Sequence, residues 1–220
     1  MILASLLVRD DDDILGDNFE FHLNNGVDAF IVTEHNSNNN TKSILDKYSD
    51  YILDRIIEYD DTYNQSKWVT RMARIASGYN PDWIIHCDAD ELWHNLKCLN
   101  EIDHNLCLTK CWINHFPYSI SNFSISEAIE YEIPLIKSIF GSGMQDKKKI
   151  IHKPDTSISI LQGNHGVESD SVLLQTDVVI HHYPVRTYEQ FKNKSIVGGK
   201  VYAKYCNEHH GKQWRRWYDD

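Results

Sequence analysis

The chain has 220 residues, with 22 Lys and Arg against 32 Asp and Glu, a formal net charge of −10, and a mean hydropathy of −0.49. Apolar residues at 41% and charged residues at 25% are ordinary globular values, and a chain of this length hides roughly 70% of its unfolded surface, so collagen-like, disordered and membrane-embedded classes are excluded. The acidic balance leaves no surplus of cations to replace phosphate counterions, so neither nucleic acid nor an anionic membrane is an expected partner.

The apolar run from Met1 stops at Arg9, too short for a signal peptide or a membrane span. The five cysteines are odd in number and no pair has CxxC spacing. Together these predict free thiols and a reducing, cytoplasmic location. Residues 2–8 form a continuous apolar run, as in a buried parallel strand. Asp10 to Asp13 follow as helix-starting charge, then Ile14, Leu15, Phe19 and Leu23 at helical spacing, and Gly26 as the stop. Residues 27–33 are a second strand, 34–40 a polar loop, and Thr41 opens a short helix. Residues 50–57 predict a third strand, and Trp68, Met72, Ile75 and Tyr79 place one apolar stripe on a helix. Gly78 and Asn80-Pro81 close it, and residues 83–87 are another strand, running into Asp88-Ala89-Asp90-Glu91.

This alternation predicts an α/β fold with a mostly parallel central sheet flanked by helices. The second half is less regular, with strand-like stretches near 108–116, 148–152, 157–161 and 172–183. Thr187-Tyr188-Glu189-Gln190 reads as a capping box for a final helix that Gly198-Gly199 interrupts or ends. No repeat or linker stands out, so residues 1–220 are expected to be a single domain. The ending Trp214-Arg215-Arg216-Trp217-Tyr218 is abrupt, which leaves room for a longer polypeptide.

Asp88-Ala89-Asp90 is the sharpest chemical feature. It lies at the carboxyl end of an expected central strand, where open α/β sheets bind ligands. Residues two apart in extended chain point the same way, and converging carboxylates suit a hard cation that also takes phosphate oxygens. A solvated acidic turn is the plainer alternative.

Four segments carry a resemblance: Leu7-Val8-Arg9-Asp10, Glu34-His35-Asn36-Ser37, Trp83 to Glu91, and His182-Tyr183-Pro184-Val185-Arg186-Thr187 with Phe191 and Lys194. In this order the sequence resembles the family-2-like glycosyltransferases of the GT-A (Rossmann-like) fold. The resemblance implies a nucleotide-diphosphate-sugar donor, a divalent metal (Mn²⁺ or Mg²⁺), and inverting transfer of a sugar to a hydroxyl of a glycan or glycoconjugate. Residues 1–91 would be the nucleotide-binding half and 92–220 the acceptor half. Val8, Arg9, Asp10, Glu34, His35, Asn36 and Ala89 would face the nucleotide. Arg9-Asp10-Asp11 and Glu34-His35-Asn36 depart from the usual loops, which leaves the base open, UDP-sugar being favoured and GDP-sugar the other choice.

On this reading Asp90 holds the metal, Asp88 reaches the ribose or a metal-bound water, and His182 completes the shell. Arg186 and Lys194 would neutralise the diphosphate, and Arg71 would touch the nucleotide or a phosphate; each is equally readable as ordinary surface charge. Lys147-Lys148-Lys149 reads as a solvated loop before a phosphate clamp. Inverting transfer needs a general base, for which Glu168, Asp170, His165 and Glu91 are candidates in no fixed order. Trp112, His115, Phe116 and Tyr118 could stack on sugar or fill the core. Cys107 and Cys111 read as core.

Two other readings compete. One is a nucleotide-sugar-binding module without catalysis. The other is an Fe(II)/oxoglutarate oxygenase using His86, Asp88 and a distal His165 or His182; the helical first half argues against the β-helix that chemistry usually occupies. A haloacid-dehalogenase-type phosphatase would have its DxD motif after the first strand with Thr or Val two residues later; here Asp88-Ala89-Asp90 follows a later strand and Leu92 stands in that position.

Overall fold

The computed structural model describes residues 1–60, 63–119, 121, 123–130, 148–169 and 172–202. Strand β1 (Ile2–Val8) is followed by α1 (Leu15–Asn24), β2 (Ala29–His35), α2 (Asn39–Lys47), β3 (Ile52–Glu58), α3 (Gln65–Gly78) and β4 (Trp83–Asp88). Then come β5 (Glu91–His94), β6 (Leu106–Leu108), β7 (Cys111–Phe116), β8 (Ile129–Glu130), β9 (Ile150–His152), β10 (Leu174–Gln175), β11 (Val179–His182) and α4 (Tyr188–Tyr202). The residues fall into two compact units: Met1–Asp60, Asn64–Trp112 and Lys147–His181 in one, and Asp61–Tyr63, Ile113–Asp146 and His182–Asp220 in the other.

The first unit is built on a seven-stranded sheet of order β10-β6-β9-β4-β1-β2-β3. β1 pairs in parallel with β2 and with β4, β2 with β3, and β10 with β6; β9 runs antiparallel between β4 and β6. The expected α/β class and mostly parallel sheet are therefore present. Both faces of β1 are buried, which is why its sequence is an unbroken apolar run. Alternate residues go to opposite sides. Ile2, Ala4, Leu6 and Val8 join Phe30 and Val32 against Leu15 and Phe19 of α1 and Leu45 and Tyr48 at α2. Phe19 stacks on Tyr48 and meets Phe30 edge-on, with centroids 4.6 and 4.7 Å apart. The other face carries α3, which packs on β1, β2 and β4. Helices thus cover both faces of the sheet.

Several local expectations change. α1 ends at the expected place, where Gly26 takes φ 104°, in the left-handed region. The stripe of α3 buries Trp68 and Met72, then turns onto Val69, Ala73 and Ala76, while Tyr79 is exposed and donates to Asp54 Oδ2 at 3.2 Å. Small alanines let the helix sit close on the sheet. The stretch 108–116 breaks at Thr109-Lys110 into β6 and β7, so Cys107 is buried and Cys111 half-buried on separate strands. The stretch 157–161 makes only one bridge, Ile160 to Val167. Beyond residue 91, β6, β9 and β10 extend the sheet begun by β1.

In the second unit β7 and β8 pair antiparallel, and Tyr183 stacks on His115 at 4.9 Å. Thr187 caps α4, its hydroxyl accepting from the Gln190 N–H at 3.1 Å. The Gln190 side chain reaches back to the Arg186 N–H at 3.1 Å, one residue earlier than a standard capping box. α4 runs through Gly198-Gly199 to Tyr202; the glycines neither break nor end it. Among the described residues no helix is long and apolar enough to cross a membrane.

Candidate active site at the carboxyl edge of the sheet

β1 has β2 on one side and β4 on the other, so strand order reverses at the β1–β4 pair, where open sheets bind ligands. In register, Leu7 lies beside Asp88, Val8 beside Glu34, and His35 beside Glu58. Parallel pairing therefore brings the ends of four strands, and the loops carrying Arg9, Asp10 and Asn36, to one edge. The acids after β1 do not serve mainly as dipole charge for α1, whose first turn holds only Asp17. Asp10, at φ 52°, accepts from the Asn38 N–H at 2.7 Å. Asp12 accepts from the amides of Asn38 and Asn40 at 3.1 and 3.2 Å. They tie the loops after β1 and β2 together.

The acidic motif is held from below by α1. Asn18 donates to the carbonyls of Ala89 and Glu91 at 3.0 and 2.9 Å. His22 donates from Nδ1 to the Asn18 carbonyl at 2.9 Å, and its Nε2 accepts from the Trp93 N–H at 3.2 Å. Both side chains are fully buried. Sequence reasoning missed them; the signal was two polar residues four apart on the apolar side of a helix.

Above this scaffold sits Lys149, expected in a solvated loop and found 1% exposed. Its Nζ is 2.6 Å from Asp88 Oδ2 and 2.8 Å from Glu91 Oε1. Its N–H donates to Thr109 Oγ1 at 3.0 Å, and Nζ lies 5.8 Å from the centre of the Trp112 ring. Burial alone would favour loss of its proton; Asp88 and Glu91 overcome this and hold it charged. Burial pushes the Glu91 carboxyl up to about 8, against the pull of Lys149. Glu91 Oε2 also faces the Asp88 N–H at 3.1 Å and Trp93 Nε1 at 3.4 Å. With those donors and an ammonium beside it, the charged pair is the state the geometry supports.

Asp88 Oδ1 accepts from Gln65 Nε2 at 3.2 Å. Gln65 Oε1 in turn accepts from Gln162 Nε2 at 2.9 Å and from the Gly163 N–H at 3.2 Å. Gln65 thus links the motif to the 162–165 turn. His165 donates from Nδ1 to the Lys148 carbonyl at 2.9 Å and meets Trp112 edge-on at 6.1 Å. Its basic nitrogen is then Nε2.

The remaining expected residues are placed as follows. Glu34 is fully buried and accepts from Arg55 Nε and Nη2 at 3.0 and 2.7 Å. His35 packs on Trp68 at 4.6 Å and bonds the Asp60 carbonyl through Nε2 at 2.7 Å. Burial lowers its pKa, and Arg9 adds to that. Asn36, at φ 49°, donates to the same carbonyl at 3.2 Å. Arg71 Nη1 pairs with Glu58 at 2.6 Å. Ala89 and Asp90 form the buried turn between β4 and β5. Glu168 is exposed, its N–H donating to the Ser159 carbonyl at 3.0 Å. Asp170 lies outside the described residues. His182, Arg186 and Lys194 belong to the second unit. There His182 Nδ1 is 2.8 Å from Asn114 Oδ1, and buried Arg186 donates to the Tyr183 carbonyl at 3.0 Å.

The oxygenase reading fails on His86. Its Nδ1 is 2.7 Å from the Ser5 hydroxyl and its Nε2 is 3.0 Å from His152 Nε2. His152 Nδ1 donates to the Lys153 carbonyl at 2.7 Å, so its Nε2 accepts from His86, which must then accept from Ser5. Both nitrogens of His86 are used, leaving none for iron, and the open parallel sheet is not a β-helix.

Among the described residues no three His, Cys, Asp or Glu side chains cluster as a metal cage. The acids after β4 offer carboxylate oxygen. That fits a hard divalent cation that keeps waters and completes its shell from a phosphate.

No protein-family model matches the chain, and no curated protein matches it in sequence. Solved structures with a similar arrangement include HddC from Yersinia pseudotuberculosis, 12% identical with a TM-score of 0.47 over 88% of this chain and 97% of that one. Glucosyl-3-phosphoglycerate synthase from Mycobacterium tuberculosis, in complex with Mn²⁺, UDP and phosphoglyceric acid, is 14% identical with a TM-score of 0.44 over 92% and 78%. The mannosyltransferase PcManGT from Pyrobaculum calidifontis, in complex with GDP-Man and Mn²⁺, is 11% identical with a TM-score of 0.45 over 92% and 63%.

Proposed function

We propose that this chain is a GT-A-type glycosyltransferase that moves a sugar from a nucleotide-diphosphate donor to a hydroxyl, with inversion and with help from Mn²⁺ or Mg²⁺. The observation that carries the reading is the placement of Asp88-Ala89-Asp90 at the end of β4, beside the strand-order reversal. Asn18, Gln65 and Lys149 hold it there. A loosely solvated acidic turn would not recruit three buried partners.

In this reading Asp90 would hold the cation, which would supply positive charge beside the departing diphosphate. Asp88, fixed through both oxygens, supports the donor's ribose side of the site. Arg9, Asp10, Glu34, His35 and Asn36 form the wall for the base, UDP-sugar being preferred and GDP-sugar the alternative. A base accepts the proton of the acceptor hydroxyl as the new bond forms. Glu168 and His165 Nε2 are the candidates among the described residues, and Asp170 is the third. Glu91 is set aside, because it is buried and paired with Lys149. The acceptor is a glycan or glycoconjugate hydroxyl, with Trp112 as a stacking surface.

The test is binding and turnover of UDP- and GDP-sugars with Mn²⁺ or with chelator. Donor binding requires metal and is lost in Asp90→Ala. Glu168→Ala binds the donor and fails to transfer. If no nucleotide sugar binds in a metal-dependent way, the reading is wrong. If Glu168→Ala transfers at the wild-type rate, the base is His165 or Asp170.

A further inference from the structure

Among the described residues β3 ends the order of the seven-stranded sheet, paired to β2 on one side. An open edge is a template for another strand, and proteins usually blunt it with Lys, Pro, a very short strand or a bulge. β3 has seven residues and neither Lys nor Pro. Its single register shift leaves Leu53 without a partner on β2. Leu53 and Ile57 are 40% and 46% exposed, and Tyr51 and Tyr59, which flank the strand, are exposed as well.

Tyr51, Leu53, Arg55, Ile57 and Tyr59 read alike in class from either end: aromatic, aliphatic, cation, aliphatic, aromatic. A two-fold axis normal to the sheet sets two β3 edges antiparallel and places residues equally far from the centre opposite one another. Centred on Arg55, Leu53 of one copy meets Ile57 of the other, twice over, and Asp54 meets Ile56. Moving the centre by one residue sets Asp54 against Asp54 or against Glu58 of the second copy, and like charges directly opposite are destabilising. The two Arg55 side chains at the centre arrive already neutralised. Each donates to Glu34 at 3.0 and 2.7 Å and to Asp46 at 2.5 Å within its own chain. Apolar pattern and charge thus select the same register.

We infer that β3 is a self-pairing edge: two copies of this chain join antiparallel through β3, centred on Arg55, into one continuous sheet. The occupant is a second copy, because a copy necessarily matches a pattern that reads alike from both ends. The axis reverses strand direction, so the carboxyl edges of the two sheets face opposite ways and each copy keeps its own Asp88-Ala89-Asp90 turn. The inference is independent of the transferase reading.

The experiment is sedimentation velocity of the full chain over a dilution series. A dimer at micromolar concentration that dissociates on dilution is expected. Leu53→Lys and Ile57→Glu each set a charge against an apolar partner and abolish the dimer. Both positions are exposed, so the circular dichroism of each variant stays that of the wild type. Mixed one to one, the two variants dimerise again, because the introduced lysine faces the introduced glutamate while the other pair remains Leu53 with Ile57. Leu174→Lys, on β10 at the opposite edge of the sheet, leaves the dimer intact. Where a charged variant does not fold, Ile57→Thr, uncharged and a good strand former, weakens the dimer by about tenfold or more. A wild-type chain that stays monomeric overturns the proposal, and β3 is then free for a foreign strand. So does a dimer that survives Leu53→Lys, Ile57→Glu or Ile57→Thr, or a mixture that stays monomeric. Open-ended growth that Leu174→Lys stops overturns it too, since β3 would then meet β10 of the next copy.

Discussion

Asn18, in the first half of α1, donates its side-chain amide to the Glu91 carbonyl at 2.9 Å while also bonding the Ala89 carbonyl at 3.0 Å. The two acceptors bracket Asp90. A helix on one face of the sheet therefore sets the backbone of the acidic turn. Asn18 is fully buried, so these carbonyls have no water to fall back on.

Asn18→Ala is expected to leave both carbonyls unpaired, at a cost of about 2–6 kcal/mol, from roughly 1–3 kcal/mol for each buried group left unsatisfied. Urea unfolding measures the loss. Asn18→Asp should be worse, because a carboxylate would face two carbonyl oxygens. A cost under half a kilocalorie for Asn18→Ala would mean that the turn is held by other contacts.

Stability should fall as pH drops from neutrality towards 4. Burial lowers the pKa of His22 and of His152 to about 4, from an ordinary 6.5, and that of His86 well below it. Between those values the unfolded chain binds protons that the folded chain refuses. Stability then rises with pH through this window, by up to about 1.4 kcal/mol per pH unit for each histidine, and the histidine contribution ends near pH 6.5. Glu91, whose proton affinity burial raises, pulls the other way with one group against three. Urea midpoints at intervals from pH 4.5 to 6.5 test the slope; a flat or falling profile over that range contradicts it.

Gly163 has φ 78°, and a Cβ there would lie 2.6 Å from His165 Cδ2. Gly163→Ala is therefore strained twice, by backbone and by contact, at about 1–3 kcal/mol. It should push the His165 ring off the Lys148 carbonyl and loosen the turn that Gln65 ties to Asp88. Thermal melting reads the first effect. Hydrogen exchange at residues 162–165 reads the second, and unchanged protection there would show that the turn does not depend on this glycine.

Glu34 is buried beside Arg55, itself only a quarter exposed, with Lys42 at 4.0 Å as a second cation. Removing one partner of a buried pair costs roughly 3–5 kcal/mol, and the nearby lysine trims this to about 2–3 for Arg55→Met. The double variant Arg55→Met with Glu34→Met should recover most of the loss, because no charge is left stranded. Simple addition of the two single effects would show that the residues do not act as a pair.

Much of the sheet was legible. β1, β2 and β4 are buried on both faces and announce themselves as apolar runs, and the acids after β4 stand out because they end such a run. The short strands were legible only as approximate stretches: β9 falls within 148–152 and β10 within 172–183, but three and two residues are too few to show a period that would fix their bounds. Nor could periodicity reveal that β9 enters the sheet antiparallel. At the site, Asp88 and Asp90 could be picked out by position, whereas Lys149, 61 residues away from Asp88, looked like one of three lysines in a loop.

The sequence by itself determined the alternation of strands and helices and the presence of two acids at a strand's end, because burial periodicity and strand polarity are local properties. Only the tertiary structure decided which cation answers those acids, which histidine nitrogens carry protons, and that α1 holds the turn. Those outcomes depend on groups brought together from distant parts of the chain, and on the loss of water around them, neither of which is written in any local run of residues.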